Sequence, residues 1–354
     1  MIADAVGCIL LASITLYAVF GGADFGAGLW DLLAGTTRRG RAPRALIEES
    51  ITPVWEANHV WLIFDLVIFW TAFPTAFAAV MNTAALPLWL AAVGVLLRGA
   101  GFAFRKEIDE LRWQRAAGAT FAISSLLTPF FMGTVVGAIA TGQVPAAATH
   151  ARMSAWTNST SLLLGCLFVA ACGYLAAVFL VAEAASRADH HLEVYFSRRA
   201  RAAGLVAGAL SLATLVDLHS TNHALYHRLT DRALPLVILA ALCGLIVVAK
   251  PQRRFGARVV AATGVAAVVW GWGVAQYPTL LPGTAITLSN AGAPHTTLVT
   301  IVVLFAAVAL VIGPSLVLLL ELQRRHVLAE PSAGAGPPGP AARPYAGDQT
   351  PSVQ

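Results

Sequence analysis

Residues 50–107 read SITPVWEANHVWLIFDLVIFWTAFPTAFAAVMNTAALPLWLAAVGVLLRGAGFAFRKE. Two apolar segments meet at Phe73-Pro74, and the FPT link is short enough to predict a tight helical hairpin. The first segment opens with Trp55, Glu56, Asn58, His59 and Trp61, a cluster that a lipid-facing helix would not carry. An ionised carboxylate is costly inside a bilayer, so an intramembrane Glu marks a functional site by default. The second segment ends on Arg98, followed by Arg105, Lys106 and Glu107.

Composition agrees with a membrane setting. Hydrophobic residues make up 58% of the 354, charged residues 12%, and mean hydropathy is +0.72. A soluble domain carries roughly twice that charged fraction. The four cysteines, Cys8, Cys166, Cys172 and Cys243, all fall in apolar segments and form no CxxC pair. Neither a disulfide framework nor a zinc ribbon fits them, so they read as small packing residues. The start, MIADAVGCILL, lacks a basic region and a small-residue cleavage site, so it reads as an uncleaved first span.

A membrane-crossing helix takes roughly 20 mostly apolar residues. Nine candidate spans meet this, near 7–33, 52–73, 77–98, 117–140, 157–183, 202–220, 233–249, 257–276 and 297–320. With the N-terminus outside, the inside loops take nearly all the basic residues. Only Arg152, Arg228 and Arg232 of the 23 Lys and Arg fall outside. That asymmetry orients the chain with its C-terminus inside. It also accounts for the net charge of +5 without nucleic acid, as a topology signal that anionic lipid can reinforce. The expected organisation is an all-α membrane domain over 1–326 and a tail over 327–354. The tail is too rich in Pro, Ala and Gly to order itself.

The run Ser50-Ile51-Thr52-Pro53-Val54-Trp55-Glu56-Ala57-Asn58-His59-Val60-Trp61 is followed by Phe73-Pro74, Arg98-Gly99, Gly101-Phe102 and Arg105. Gly22-Ala23-Asp24-Phe25-Gly26 precedes it and Glu110-Leu111-Arg112-Trp113 follows. This order of motifs resembles subunit II of the cytochrome bd-type quinol oxidases, most sharply over residues 15–115. The resemblance implies two four-helix bundles plus one peripheral helix in a bacterial cytoplasmic membrane. It implies a complex that oxidises quinol, reduces O2 to water and draws the consumed protons from the inside. Haem b and haem d, or haem b alone, would sit on subunit I with the quinol site. A structural quinone and a small accessory subunit are left open.

The polar residues inside the spans are the candidates for chemistry. Asp24, flanked by Gly21, Gly22, Gly26 and Gly28, reads either as a carboxylate in a tight helix contact or as a proton-relay group or partner for a buried Arg. The family commonly has a second acidic residue where this chain has Gly21. Glu56 stands where the family usually has an acidic residue. On a helix, His59 shares its face, which suits proton uptake. The plainer reading is a helix-start Glu stabilised by the dipole. Asn58 and Asp65 share the roughly opposite face, with Asp65 about 13 Å deeper than Glu56 at ~1.5 Å per residue. Asp24, Glu56, His59 and Asp65 are thus the proton-transfer candidates. Trp55, Asn58, Trp61, Arg98 and Arg105 complete the motif.

Arg98 reads as a snorkelling interfacial residue, or as a counter-ion for Glu56 or a cofactor group. Arg105 and Glu107 read as loop residues. His219, His223 and His227 recur every four residues, a spacing compatible with a metal, but no Cys or carboxylate is placed to complete a site, so no metal is assigned. No His lies at the centre of a span, and Met81 and Met132 are weak haem ligands, so the chain reads as a poor haem carrier. The competing function is a proton-coupled secondary transporter using Asp24, Glu56 and Asp65.

Overall fold

The computed structural model describes residues 1–35, 40–51, 55–107, 111–147, 150–251 and 254–324. Among the described residues the fold is helical, and an isolated antiparallel bridge joins Thr279 to Thr287. Helix α1 (Ile2–Leu16) passes through a π-helical turn (Tyr17–Gly21) into α2 (Gly22–Leu33), and α3 (Arg41–Ile51) follows. Helices α4 (Trp55–Ala72), α5 (Pro74–Thr83), α6 (Ala85–Glu107) and α7 (Leu111–Ala140) come next. Then come α8 (Met153–Trp156), α9 (Ser159–Ser186), α10 (His190–Thr221), α11 (His223–Thr230), α12 (Leu234–Ala249), α13 (Arg254–Gln276) and α14 (His295–Arg324). Residues 1–301 form one compact unit. Beyond it, α14 runs on to Arg324 with Pro314 in its interior.

Five helices are long and apolar enough to cross a membrane, and two bent pairs would raise that to seven. Shorter apolar helices occupy Ala85–Gly101 and His295–Val311. The corner after α4 is not a plain hairpin. The chain bends by 118° into the short α5, and α6 starts only at Ala85, so the span expected from 77 is interrupted. Pro74 explains the break: it lacks the N–H that would continue α4, yet suits the first position of a new helix. Phe73, fully buried with a non-helical backbone at φ −133° and ψ 60°, anchors the corner. The expected tail from 327 lies outside the described residues.

Helix α9 is the centre. Its residues Cys172–Val178 are buried without a break, as expected of a helix that is apolar all round. It packs against α2, α7, α10 and α13. The close crossing with α2 depends on Gly26, where a β-carbon would run into the backbone carbonyl of Cys172. Of the four cysteines, Cys172 and Cys243 are buried, whereas Cys8 and Cys166 are exposed. Helix starts are capped by Asn158, Asp189 and Asn222, which accept from the amides of Ser161, Leu192 and Leu225. At one end of α9, Arg187 pairs with Glu49 and Glu183. Arg258 donates to the Phe179 carbonyl at 2.8 Å, tying α13 to the same end.

Candidate functional site

The π-helical turn sets up the site. Such a turn carries an extra residue, shifts the helical register and is frequent at functional positions. Here it sits directly before Asp24. Asn58 on α4 donates its side-chain amide to the Phe20 carbonyl within the turn, at 3.3 Å. Asp24 reaches toward α6.

There it meets Arg98. The Arg98 side chain donates to Asp24 Oδ1 at 2.6 Å and to the Asp24 carbonyl at 3.1 Å. Its Nε donates to Ser125 Oγ at 3.0 Å, and Ser125 in turn donates to the Phe121 carbonyl at 2.6 Å. The guanidinium lies 5.0 Å from the Phe25 ring centroid and 4.9 Å from that of Phe121, a two-sided cation–π contact. Both side chains of the pair are 2% exposed. Arg98 is therefore not a snorkelling residue at the membrane edge; it is the counter-ion of Asp24. A glycine makes this possible: a β-carbon at Gly28 would occupy the position of the Ser125 side chain.

The other carboxylate oxygen, Asp24 Oδ2, is buried without a hydrogen-bond partner, as is the Tyr17 hydroxyl of the π turn. The same holds for Ser13 Oγ on α1 and Asp65 Oδ1 on α4. Ser13 on α1 faces Asp65 on α4 across the contact of the two helices. Buried polar atoms are nearly always satisfied, so these four, on α2, the π turn, α1 and α4, stand out from the apolar packing around them.

A family model for cytochrome bd terminal oxidase subunit II matches residues 3–322. The chain belongs to that family. It is 25% identical over 227 residues to cytochrome bd ubiquinol oxidase subunit 2 of Bacillus subtilis (strain 168), covering 63% of this chain and 64% of that one. It is 29% identical over 137 residues to cytochrome bd-I ubiquinol oxidase subunit 2 of Escherichia coli (strain K12), covering 39% of this chain and 34% of that one. Its matched region thus spans less than two thirds of either relative. Its fold is similar to a chain of the bd oxidase from Geobacillus thermodenitrificans, with TM-score 0.72, 22% identity, and coverage of 91% of this chain and 98% of that one. The apolar helices and the family together make it a multi-pass membrane protein.

The motif residues of this family member divide into two groups. Asp24, Asn58, His59 and Arg98 converge around α2, with the His59 ring edge-on to Phe25 at 6.2 Å between centroids. Asn58 meets the π turn, and Asp65 faces Ser13 of α1. Trp61 is half-buried, its ring 6.5 Å from that of Phe64. Trp55 and Glu56 lie in the first turn of α4 and Arg105 in the last turn of α6, and their side chains lie outside the described residues.

The sequence reading missed Ser125, Phe121, Tyr17 and Ser13, which carry no motif of their own. It also missed Asp217 on α10, which accepts from Thr160 of α9 at 2.5 Å, with Thr221 beside it at 3.0 Å from the same hydroxyl. An acidic residue near the end of a long apolar helix was the available signal.

Haem is the group that the family implies. Axial ligation takes a His or Met held inside a bundle. Among the described residues no His is buried, Met81 is 36% exposed and Met132 is only half-buried. These side chains do not fit a haem site within this chain.

Proposed function

We propose that this chain is the second, non-haem-ligating subunit of a quinol:O2 oxidoreductase in a bacterial cytoplasmic membrane. Its nine apolar segments cross the membrane with the N-terminus outside and the C-terminus inside. A larger subunit I carries haem b and haem d, or haem b alone, and binds quinol. The complex reduces O2 to water with electrons from quinol. This chain holds subunit I in place and carries protons from the inside toward it. The chain alone is not catalytic.

The observation that carries this reading is the buried Asp24–Arg98 pair beside the π turn, within a chain that matches the family over 3–322. The pair fixes α2 against α6 and α7, so the polar groups beside it keep one arrangement. Glu56 and His59 serve as the proton-uptake pair, and Asp65, Ser13 and Tyr17, about the contact of α4 with α1 and the π turn, continue the route. Asp24 is tied to Arg98 at 2.6 Å, so its part is to anchor the route beside it. The transporter reading gains no support from the family match.

The test is to purify the chain from native membranes through a C-terminal tag and record a dithionite-reduced spectrum. Haem bands with a larger membrane partner support the oxidase. A b-only spectrum keeps the complex and changes its haem. A stable, haem-free chain without a partner sinks the proposal. In the intact complex, Glu56→Gln is expected to slow quinol-driven oxygen reduction while leaving the spectrum unchanged, and an unchanged rate would remove Glu56 from the route.

A further inference from the structure

Three histidines at the junction of α10 and α11 take no part in the proposed function. His219 lies in the last turn of α10, and His223 and His227 lie on α11; all three are exposed. Asn222 ends α10 and caps α11, while its side-chain amide donates to the Ala140 carbonyl at 2.8 Å. The junction is therefore anchored to the end of α7. Four-residue spacing puts His223 and His227 one above the other on one helix face.

Their rings are organised beyond what spacing requires. The Nε2 atoms of His223 and His227 are 2.9 Å apart. His223 Nδ1 lies 3.3 Å from the His219 carbonyl. With its proton on Nδ1, His223 donates to that carbonyl and turns the lone pair of Nε2 toward His227. A backbone carbonyl holding the far ring nitrogen is the usual way a metal-binding imidazole is oriented. The His223 ring is also parallel to Tyr226, at 11° and 6.4 Å, and edge-on to His219 at 4.8 Å. These contacts restrict its rotation.

We propose that His223 and His227 form a surface site for one divalent transition-metal ion that favours tetragonal geometry, Cu2+ above all and Ni2+ next. Imidazole nitrogens bind such ions at about 2.0–2.1 Å, so two ligands at a right angle stand about 2.9 Å apart, whereas a tetrahedral pair stands about 3.3 Å apart. The 2.9 Å separation matches the right-angled arrangement, the geometry of tetragonal Cu2+ and Ni2+ sites. Cu2+ also stands highest in the general affinity order of these ions. Among the described residues no group of three or more His, Cys, Asp and Glu side chains could hold a metal, so the protein supplies two ligands and water completes the shell. The competing account is a plain hydrogen bond in which one Nε2–H donates to the other Nε2.

The test uses the full chain in its detergent-solubilised complex, with any affinity tag removed, titrated with Cu2+ and followed by electron paramagnetic resonance. The expected result is one axial Cu2+ signal with splitting from two nitrogens. His223→Ala and His227→Ala are each expected to weaken binding by at least the ~10–100-fold that loss of even an outer-shell partner costs. His219→Ala is expected to weaken binding far less than either, because it removes one ring contact to His223 but keeps the backbone carbonyl that orients it. The double substitution of His190 and His191, an exposed pair at the start of α10, is the control and is expected to change nothing. A signal with one nitrogen, equal binding by His223→Ala and wild type, or loss of the site in the His190/His191 control would overturn the proposal. All three substitutions at the junction change exposed side chains, so the haem spectrum of the complex reports whether folding is intact.

Discussion

Removing the charge on Asp24 and removing Arg98 are expected to have unequal costs. Both side chains are 2% exposed and 2.6 Å apart, so neither charge has water to fall back on. Breaking a buried pair by deleting one partner costs roughly 3–5 kcal/mol, or two to four decades in the unfolding equilibrium. Asp24→Asn keeps the shape and still offers an oxygen to Arg98. It leaves a guanidinium that cannot give up its proton, boxed in by Phe25, Phe121 and Ser125. The full cost, about 3–5 kcal/mol, is expected there. Arg98→Met leaves a carboxyl that can take up a proton and become neutral, which caps its penalty below that of Asp24→Asn.

The double variant Asp24→Leu with Arg98→Met replaces the pair by apolar side chains and is expected to lie nearest to wild type, since such replacements are often neutral or better. The assay is an unfolding titration of the solubilised chain in mixed micelles of mild detergent and SDS, run on both single variants and the double. If Arg98→Met is as damaging as Asp24→Asn, or if the double variant equals the sum of the singles, the two charges do not depend on each other and the reasoning fails. Activity alone would not decide this, because either variant could also disturb proton delivery.

Three further predictions concern helix packing. Gly26→Val places a β-carbon against the Cys172 backbone carbonyl, which cannot swing aside like a side chain, so α2 and α9 should no longer cross and no monodisperse complex should elute on size-exclusion chromatography. Gly118→Ala, where the added carbon meets nothing within 4 Å, should elute like wild type. Asn58→Leu removes the bond to the Phe20 carbonyl and is expected to cost about 0.5–1.5 kcal/mol in the same SDS titration; no change would mean that the π turn holds its shape without α4.

The sequence alone was enough for the membrane class, the approximate positions of the apolar segments and the family, because these depend on composition and local order. Hydrophobic runs of bilayer length stay hydrophobic whatever they pack against, and the WEANHVW motif with its downstream Phe73-Pro74 and Arg98 is read along the chain. It also put Asn58 and Asp65 on one face of α4, since helical spacing is a local property.

Tertiary structure decided where the charges end up. Asp24 and Arg98 are 74 residues apart, and no spacing rule couples them. The position of Arg98 at the end of an apolar run looks the same whether it reaches out to lipid headgroups or inward to a carboxylate. Only the close approach of α2, α6 and α7, with small residues at the contact, turns it inward. The π turn is equally hidden in the apolar run YAVFG, because its extra residue depends on what α1 and α2 must each face. The break at Pro74 was visible in the sequence, but the 118° bend and the short α5 after it were not, because a proline marks where a helix stops and only packing sets where the next one goes.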